Sequence, residues 1–255
     1  ALRTSEGKDY GRRFCHINVS MDPENTKQFT HANFGLLKAD VNDALLTAVG
    51  LAVYKVTGMK DMSVLLEGHG REDLGEPLTT DRTVGWFTSL YPVVLEDLTG
   101  DISRDLPNIK DILHRIPNKG VGYNILRFIE GREQVTFSAD HIPQIGFNYL
   151  GEMDAEQKGQ DGDSAPFFVE SSIPTGPDIS PENTISPDLS FNCFILGGSF
   201  ILSLDYNEAS YNGQTARRIA EGILEQMKAI SEYLLSCKEP AVTATDLGET
   251  GWRNM

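Results

Sequence analysis

Glu67 is the residue of this sequence whose position best suits acid–base chemistry. The apolar stretch from Met62 to Leu66 has the composition of a buried strand, and it ends at this carboxylate. A carboxyl group at the end of a buried strand is partly removed from water, which raises its pKa towards the neutral range where a general acid or base works best. Gly68 and Gly70 follow and allow a tight turn and the close approach of a partner. Glu67 is therefore a candidate general acid or base.

Two arginines support a second interpretation of the same carboxylate. Arg71 or Arg82 could form a structural ion pair with Glu67, because such pairs collect at strand ends as catalytic groups do. Arg82 begins an unusual stretch that continues to Ser89. Its guanidinium could neutralise a carboxylate or orient a carbonyl, or it could stay at the surface, and position alone leaves these interpretations open. Trp86, in the same stretch, is expected in the core or in the wall of a cleft rather than as a platform for stacked bases.

Neither a metal site nor a phosphate-binding loop is predicted near Glu67. His69 and Glu72 supply too few ligands for a metal ion, and no cluster supports them. Lys119 is followed by Gly120 and Gly122 in the stretch from Pro117 to Tyr123. This stretch lacks the spacing of a P-loop, and no serine or threonine follows the lysine. We interpret it as a glycine-rich turn that precedes a short helix from Tyr123 to Ile129.

Composition excludes several classes of function. The chain has 255 residues, enough for one large domain or two small ones. A formal net charge of −15 argues against non-specific binding to nucleic acids and to anionic membranes. No apolar run approaches the length of a transmembrane helix, and no signal-peptide pattern is present. Cys15, Cys193 and Cys237 are odd in number and far apart, which indicates reduced thiols and a cytoplasmic location.

The elements that must position Glu67 are predicted from hydrophobic periodicity and from capping residues. The predicted strands are Phe14 to Val19, Met62 to Glu67, Leu90 to Leu95, Ile145 to Gly151, and a hairpin from Leu189 to Tyr206 that turns at Gly197–Gly198. The predicted helices are Asp22 to Ala32, Asp40 to Thr57, Asp105 to Ile116 with Pro107 in its first turn, Tyr123 to Ile129, and Gln214 to Leu235. This mixture predicts an α/β sandwich in which helices cover one face of a sheet.

The strand from Ile145 to Gly151 carries two further candidate residues. Asn148 and Tyr149 are consecutive, and side chains alternate along a strand, so they point to opposite faces of the sheet. We expect one of them to face a cleft while the other meets the core.

Four motifs, in this order, resemble the signature motifs of epimerization domains of nonribosomal peptide synthetases. These domains belong to the condensation-domain superfamily, whose fold is similar to that of chloramphenicol acetyltransferase. The intact Glu67–Glu72 run favours the epimerizing branch over plain condensation domains. The resemblance implies a two-layer sandwich, a mixed sheet covered by helices. The motifs are Glu67–Glu72, Arg82–Thr88, Ile116–Tyr123 and Phe147–Gly151.

The sequence departs from this family pattern in one respect. Members have two lobes, and the first lobe carries an HHxxxDG motif whose second histidine faces the cleft. This sequence has five histidines, none of them adjacent. The resemblance therefore implies that residues 1–237 form the C-terminal lobe alone, and that residues 238–255 are a tail or an inter-domain linker. We expect the isolated chain to be inactive because the histidine lobe is missing.

The resemblance implies inversion at the Cα atom of an aminoacyl or peptidyl thioester. No cofactor is expected to bind directly, because the thioester hangs from the phosphopantetheine arm of a carrier domain. Glu67 would move one proton, a histidine of the missing lobe would move the other, and Tyr123, Asn148 and Tyr149 would stabilise the enolate. His69 would fix the turn geometry, and Arg82 would hold Glu67 in place. The supporting residues are His69, Arg71, Arg82 and Trp86.

The expected partners are a peptidyl carrier domain, the N-terminal lobe of the same domain, and the adenylation and condensation domains of a synthetase, with neither nucleic acid nor membrane. Two alternatives remain open at this stage. The chain could be a non-catalytic half that docks a carrier domain, or it could belong to a condensation-type acyltransferase that forms amide bonds.

Overall fold

A computed structural model of the chain describes residues 14–72, 80, 82–129, 143–153 and 187–248. Within these residues the strands are β1 (Phe14–Met21), β2 (Met62–Gly68), β3 (Ser89–Leu95), β4 (Ile145–Glu152), β5 (Leu189–Leu196) and β6 (Ser199–Asn207). The α-helices are α1 (Pro23–Thr30), α2 (Val41–Thr57), α3 (Ile102–His114), α4 (Val121–Phe128) and α5 (Gly213–Ser236). The α/β class predicted from the sequence is confirmed.

The strands form one mixed sheet in the order β1-β6-β5-β4-β2-β3. Strand β4 runs parallel to both β2 and β5, whereas the other neighbours are antiparallel. In the central register Leu66, Phe147 and Phe191 lie side by side, and all three are buried. The central strands therefore bury one continuous apolar face.

The β5–β6 hairpin confirms its prediction. Gly197 and Gly198 both have positive φ, 58° and 78°, as expected of the two central residues of a type I′ turn. Each arm buries alternate residues: Leu189, Phe191, Cys193 and Ile195 on β5, and Phe200, Leu202, Leu204 and Tyr206 on β6.

Helices α2 and α5 contact each other, and their apolar residues form the core together with those of the sheet. Residues 43–53 of α2 are all buried, as its wide apolar face predicts. Asp40 and Asp43 form a capping box at the start of α2, in which each carboxylate accepts the other residue's backbone N–H, at 2.8 and 3.0 Å. This reciprocal pair satisfies two backbone donors that the helix start leaves without partners.

Two predicted helix starts were wrong by two or three residues. Helix α3 begins at Ile102 with Asp101 as its N-cap, so Pro107 falls in the second turn. Asp105 is buried, and its carboxylate accepts the backbone N–H groups of Thr99 and Gly100. Helix α4 begins at Val121, two residues before the predicted start.

The described part of the predicted tail packs on the domain. The backbone N–H of Ala241 donates to the carbonyl of Leu36, at 2.9 Å. The ammonium of Lys110, on α3, is fully buried and lies 2.6 Å from Asp246 and 2.9 Å from the Thr243 hydroxyl. The assignment of residues 238–255 as a tail or linker remains a prediction, but residues up to Asp246 contact the core of the described domain.

Removing the Asp246 carboxylate should destabilise the protein, because the buried Lys110 ammonium would lose its charged partner. We expect Asp246→Ala to lower the free energy of unfolding by on the order of 3 kcal/mol in urea titrations. Lys38→Ala is the matched control. Its ammonium lies 4.0 Å from the same carboxylate but is exposed, so we expect a loss below about 1 kcal/mol. Equal losses in the two variants would contradict the buried pair.

The same contact predicts a pH dependence. Hydrogen bonding to Lys110 lowers the pKa of Asp246 from 3.8 to about 2. A lowered pKa in the folded state adds stability above pH about 4, and this stability is lost as the pH falls through the folded-state value. The acid unfolding curve of Asp246→Ala should therefore lack this contribution.

Candidate active site

Glu67 lies one residue before the end of β2, and its side chain is exposed. Because β2 and β4 are parallel with Leu66 opposite Phe147, the next residues along, Glu67 and Asn148, also lie side by side. The side-chain amide of Asn148 donates to Oε2 of Glu67 at 3.1 Å. Partial burial raises the pKa of Glu67 above its ordinary value of 4.5. The structure therefore presents an accessible carboxylate that an amide orients.

Neither candidate arginine pairs with Glu67. The guanidinium of Arg71 donates to the carbonyls of Thr80 and Thr83, and it stacks 4.0 Å above the ring centroid of Phe87. Arg82 is exposed, and among the described residues no lysine or arginine forms an ion pair with Glu67. The ion-pair interpretation of Glu67 was wrong, and so was the expectation that Arg82 holds this carboxylate in place.

Side-chain contacts stabilise the turn Gly68–Glu72 that follows Glu67. Nδ1 of His69 accepts the backbone N–H of Arg71 at 3.0 Å, and Nε2 lies 2.9 Å from Oε1 of Glu72. The other carboxylate oxygen of Glu72 lies 3.6 Å from the ammonium of Lys119. Gly70 has φ 66°, and a Cβ there would lie 1.6 Å from the carbonyl oxygen of Phe87. His69 thus holds the turn, as the sequence indicates.

Two cavities meet at Glu67. Five residues line both of them: Asn42, Glu67, Tyr91, Lys119 and Tyr149. The first, the helix-side cavity, has a volume of about 420 Å³, and its other lining residues come mainly from α2, the end of α3 and the buried face of the sheet. The second, the turn-side cavity, has a volume of about 450 Å³, and its other lining residues come mainly from the Gly68–Glu72 turn, the stretch before β3 and the end of β4.

Asn148 and Tyr149 both line the turn-side cavity, although they alternate along β4. Tyr149 also lines the helix-side cavity, and its ring centroid lies 6.4 Å from that of Phe200 in the core. As expected, one of the two, Asn148, faces a cleft while the other, Tyr149, meets the core. Tyr149 also borders both cavities, because it lies at the margin of the core and is only partly buried. Burial raises the pKa of Tyr149, so its phenol remains a hydrogen-bond donor at neutral pH.

Trp86 lines the turn-side cavity, and the residue is 90 % exposed. It is a cleft residue and does not belong to the core. Tyr123 lines neither cavity. It lies in the first turn of α4, half-buried, and its phenol interacts with the side chain of Arg127. The structure therefore does not bring Tyr123 together with Glu67.

Lys119 lines both cavities, whereas Tyr123 lines neither. A short 3₁₀ turn, Pro117–Gly120, precedes α4, and in it Asn118 and Lys119 both have φ 47°. Non-glycine residues seldom adopt this left-handed conformation, and the strain persists only where the surroundings impose it. Considered in isolation, the sequence shows only a lysine between turn residues, so its place in the cavity wall was missed.

Asp43 and His114 are further cavity residues that the sequence did not single out. The buried carboxylate of Asp43 lies 3.1 Å from Nε2 of His114, and together with Asp40 these residues bring three potential metal ligands within 4.8 Å of one another. Burial raises the pKa of Asp43 to about 6. Both carboxylates cap α2, and this accounts for their position without a metal.

None of the helices in the described part of the chain combines the length and the apolarity that crossing a bilayer requires.

Comparison with known proteins identifies a family. Residues 7–246 match the model of the condensation domain. Surfactin synthase subunit 1 of Bacillus subtilis (strain 168) is 38 % identical over 237 residues, which span 91 % of this chain and 6 % of that protein. The chain thus corresponds to a small part of this relative.

Solved structures show the same fold. The epimerization domain from the third module of tyrocidine synthetase B is 30 % identical with a TM-score of 0.79, and the match covers 92 % of this chain and 52 % of that one. The first condensation domain of the CDA synthetase is 16 % identical with a TM-score of 0.57, over 88 % of this chain and 47 % of that one. The chain has the fold of a single lobe and spans about half of each of these chains.

Removing the Asn148 amide should raise the pKa of Glu67 further, because a hydrogen bond to the ionised form stabilises that form. The expected result in Asn148→Ala is therefore a higher Glu67 pKa than in the wild type. Carboxyl-selective NMR titration would measure this shift. Asn192→Ala is the matched control, since Asn192 is paired with Asn148 on the far side from β2. An unchanged Glu67 titration in Asn148→Ala would contradict this contact.

Proposed function

Because the chain belongs to the condensation-domain family, we propose that it is the C-terminal half of an epimerization domain of a nonribosomal peptide synthetase. The domain inverts the Cα atom of an aminoacyl or peptidyl thioester held on a phosphopantetheine arm. The observation that carries the proposal is the accessible carboxylate of Glu67, which lies where two cavities meet and has a raised pKa.

The chemistry needs a base that reaches the substrate carbon. A thioester carbonyl acidifies the neighbouring Cα proton, and a carboxylate with a raised pKa is matched to removing it. The electron pair of the C–H bond moves into an enolate, and a proton returned to the opposite face of Cα inverts the centre. Glu67 serves as one of the two proton-transfer groups, and the histidine motif of the first lobe supplies the other.

Other described residues of the site contribute to the same reaction. Asn148 orients the Glu67 carboxylate through its hydrogen bond. The phenol of Tyr149 borders both cavities and is a candidate donor to the enolate oxygen. Lys119 replaces Tyr123 as a candidate, since it is the cation that lines both cavities among the described residues. His69 and Arg71 support the site indirectly by holding the turn and its contacts.

The proposal also assigns the partners. The phosphopantetheine arm belongs to a peptidyl carrier domain, so the chain itself holds no resident cofactor. The N-terminal lobe completes the cleft, and adenylation and condensation domains precede or follow in the synthetase. The likeness to about half of the tyrocidine synthetase B epimerization domain supports the two-lobe arrangement.

A condensation-type acyltransferase is the second candidate, because the matching family model describes condensation domains. The epimerization proposal is supported over it by Glu67 and by the Glu67–Glu72 turn that holds this residue at the cavities. A half that only docks a carrier domain is the third possibility, and the experiment below distinguishes all three.

Glu67→Gln should abolish exchange at Cα in a protein that joins this chain to its first lobe. A positioned proton-transfer group contributes roughly 10²–10⁴-fold, so we expect a loss of that size in tritium release from a labelled aminoacyl-carrier thioester. Thermal stability should stay close to that of the wild type, because Glu67 is exposed. Glu96→Gln is the matched control, since Glu96 is an exposed carboxylate just beyond β3.

Each alternative gives a different result in this assay. Full Cα exchange by Glu67→Gln would show that Glu67 has only a structural role. Amide formation with an acceptor carrier, without Cα exchange, would establish the condensation function instead. Carrier binding without either reaction would leave a docking half. The chain without its first lobe should exchange far more slowly than the joined protein.

The rate of exchange should also depend on pH through Glu67. A general base works in its ionised form, so kcat/KM should fall as the pH drops through the Glu67 pKa. Because partial burial raises this pKa, the acidic limb should lie above 4.5, the ordinary glutamate value. A pH profile of exchange would measure the limb, and a limb at or below that ordinary value would contradict Glu67 as the base.

A further inference from the structure

We propose that the helix-side cavity binds the side chain of the residue that is epimerized, and that it selects medium-sized apolar side chains. The inference rests on the proposed function, since it places the substrate Cα at Glu67. It adds a substrate class, which the motifs and the fold leave open.

The helix-side cavity lies beside the place that the substrate Cα would occupy. Glu67 is part of both cavity walls, so a Cα atom beside its carboxylate has one cavity on each side. A side chain is bonded directly to Cα, so these two cavities are the spaces that this lobe offers it. The turn-side cavity is bordered by His69, Glu72 and Asn148, which suit the amides of a pantetheine arm better than an aliphatic group. The helix-side cavity is left for the side chain.

Apolar side chains line both the sheet side and the helix side of the helix-side cavity. Leu66 and Phe147, neighbours on β2 and β4, are buried at its sheet side. Leu46 of α2, Leu113 of α3 and Ile116 line its helix side. A volume of about 420 Å³ lies within the roughly 300–1,000 Å³ of small-molecule sites, and burying an aliphatic side chain between such walls is favourable.

The acidic side chains of this cavity do not make it a site for a cationic side chain. The carboxylates of Asp40 and Asp43 accept each other's backbone N–H groups, and Asp43 also contacts His114. They lie at the N-terminus of α2, where the helix dipole offsets their charge. A substrate ammonium would have to compete with these contacts.

Exchange rates for three carrier-bound thioesters test the selectivity in the protein joined to its first lobe. We expect kcat/KM for the leucyl thioester to exceed that for the alanyl thioester by roughly 10–200-fold, and that for the ornithyl thioester to stay near the alanyl value. Ile116→Trp places an indole in the cavity from a half-buried position outside the helices. It should lower the leucyl-to-alanyl ratio of kcat/KM at least about tenfold.

Leu235→Trp is the matched control for folding and bulk, because Leu235 is exposed on α5 and lines neither cavity. It should leave all three rates unchanged. An unchanged leucyl-to-alanyl ratio in folded Ile116→Trp would overturn the subsite, and so would a preference for ornithyl. Loss of exchange for every thioester in the wild type would instead refute the proposed function.

A binding measurement on the same protein needs no turnover. Methyl resonances of Leu113 and Ile116 should shift when leucyl-pantetheine amide, a stable analogue, is added, and should shift far less with the glycyl analogue. Leucyl-induced shifts confined to methyl groups outside the helix-side cavity would overturn the subsite even if epimerization were established.

Discussion

The parallel pairing of β2 with β4 is the constraint on which the candidate site depends. It places Glu67 beside Asn148, although 81 residues separate them in sequence, and it places Leu66 beside Phe147 on the other face. The polar pair and the apolar pair are therefore consecutive along the same two strands. A shift of the register by one residue would exchange the two faces and remove both the oriented carboxylate and the apolar cavity wall.

The first turn of α2 forms the wall of the helix-side cavity opposite the sheet, and its backbone N–H groups need hydrogen-bond partners. This turn faces a cavity instead of packed side chains, so its free N–H groups have few partners. The Asp40–Asp43 capping box satisfies two of them, and His114 at the end of α3 contacts the buried Asp43 carboxylate. Lys110, one turn earlier on α3, is held in turn by Asp246. The C-terminal segment therefore fastens the helix that carries part of the cavity wall.

Elements with strong local patterns could be predicted from the sequence, and contacts between distant segments could not. The capping residues of α2 and the Gly197–Gly198 turn determine their conformations within a few residues, so both predictions are confirmed. The partners of Arg71 could not be predicted, because no periodicity reveals the carbonyls of Thr80 and Thr83. The place of Lys119 in the cavity wall was missed because Lys119 adopts a left-handed conformation beside Asn118, and a lysine, unlike glycine or asparagine, gives no sequence signal for it.

The partial exposure of Glu67 in this lobe indicates how the two lobes of the proposed enzyme share the work of catalysis. In this lobe partial burial already raises the pKa of the carboxylate, and the Asn148 amide opposes that rise by stabilising the ionised form. A second lobe placed over the cavities would exclude more water and strengthen every electrostatic interaction in the cleft. The proposed base is therefore oriented by its own lobe, while its final proton affinity is set when the cleft closes. The two lobes of the proposed enzyme therefore contribute differently to catalysis. This lobe orients the base, and the other lobe excludes water from the cleft and supplies the second proton-transfer group.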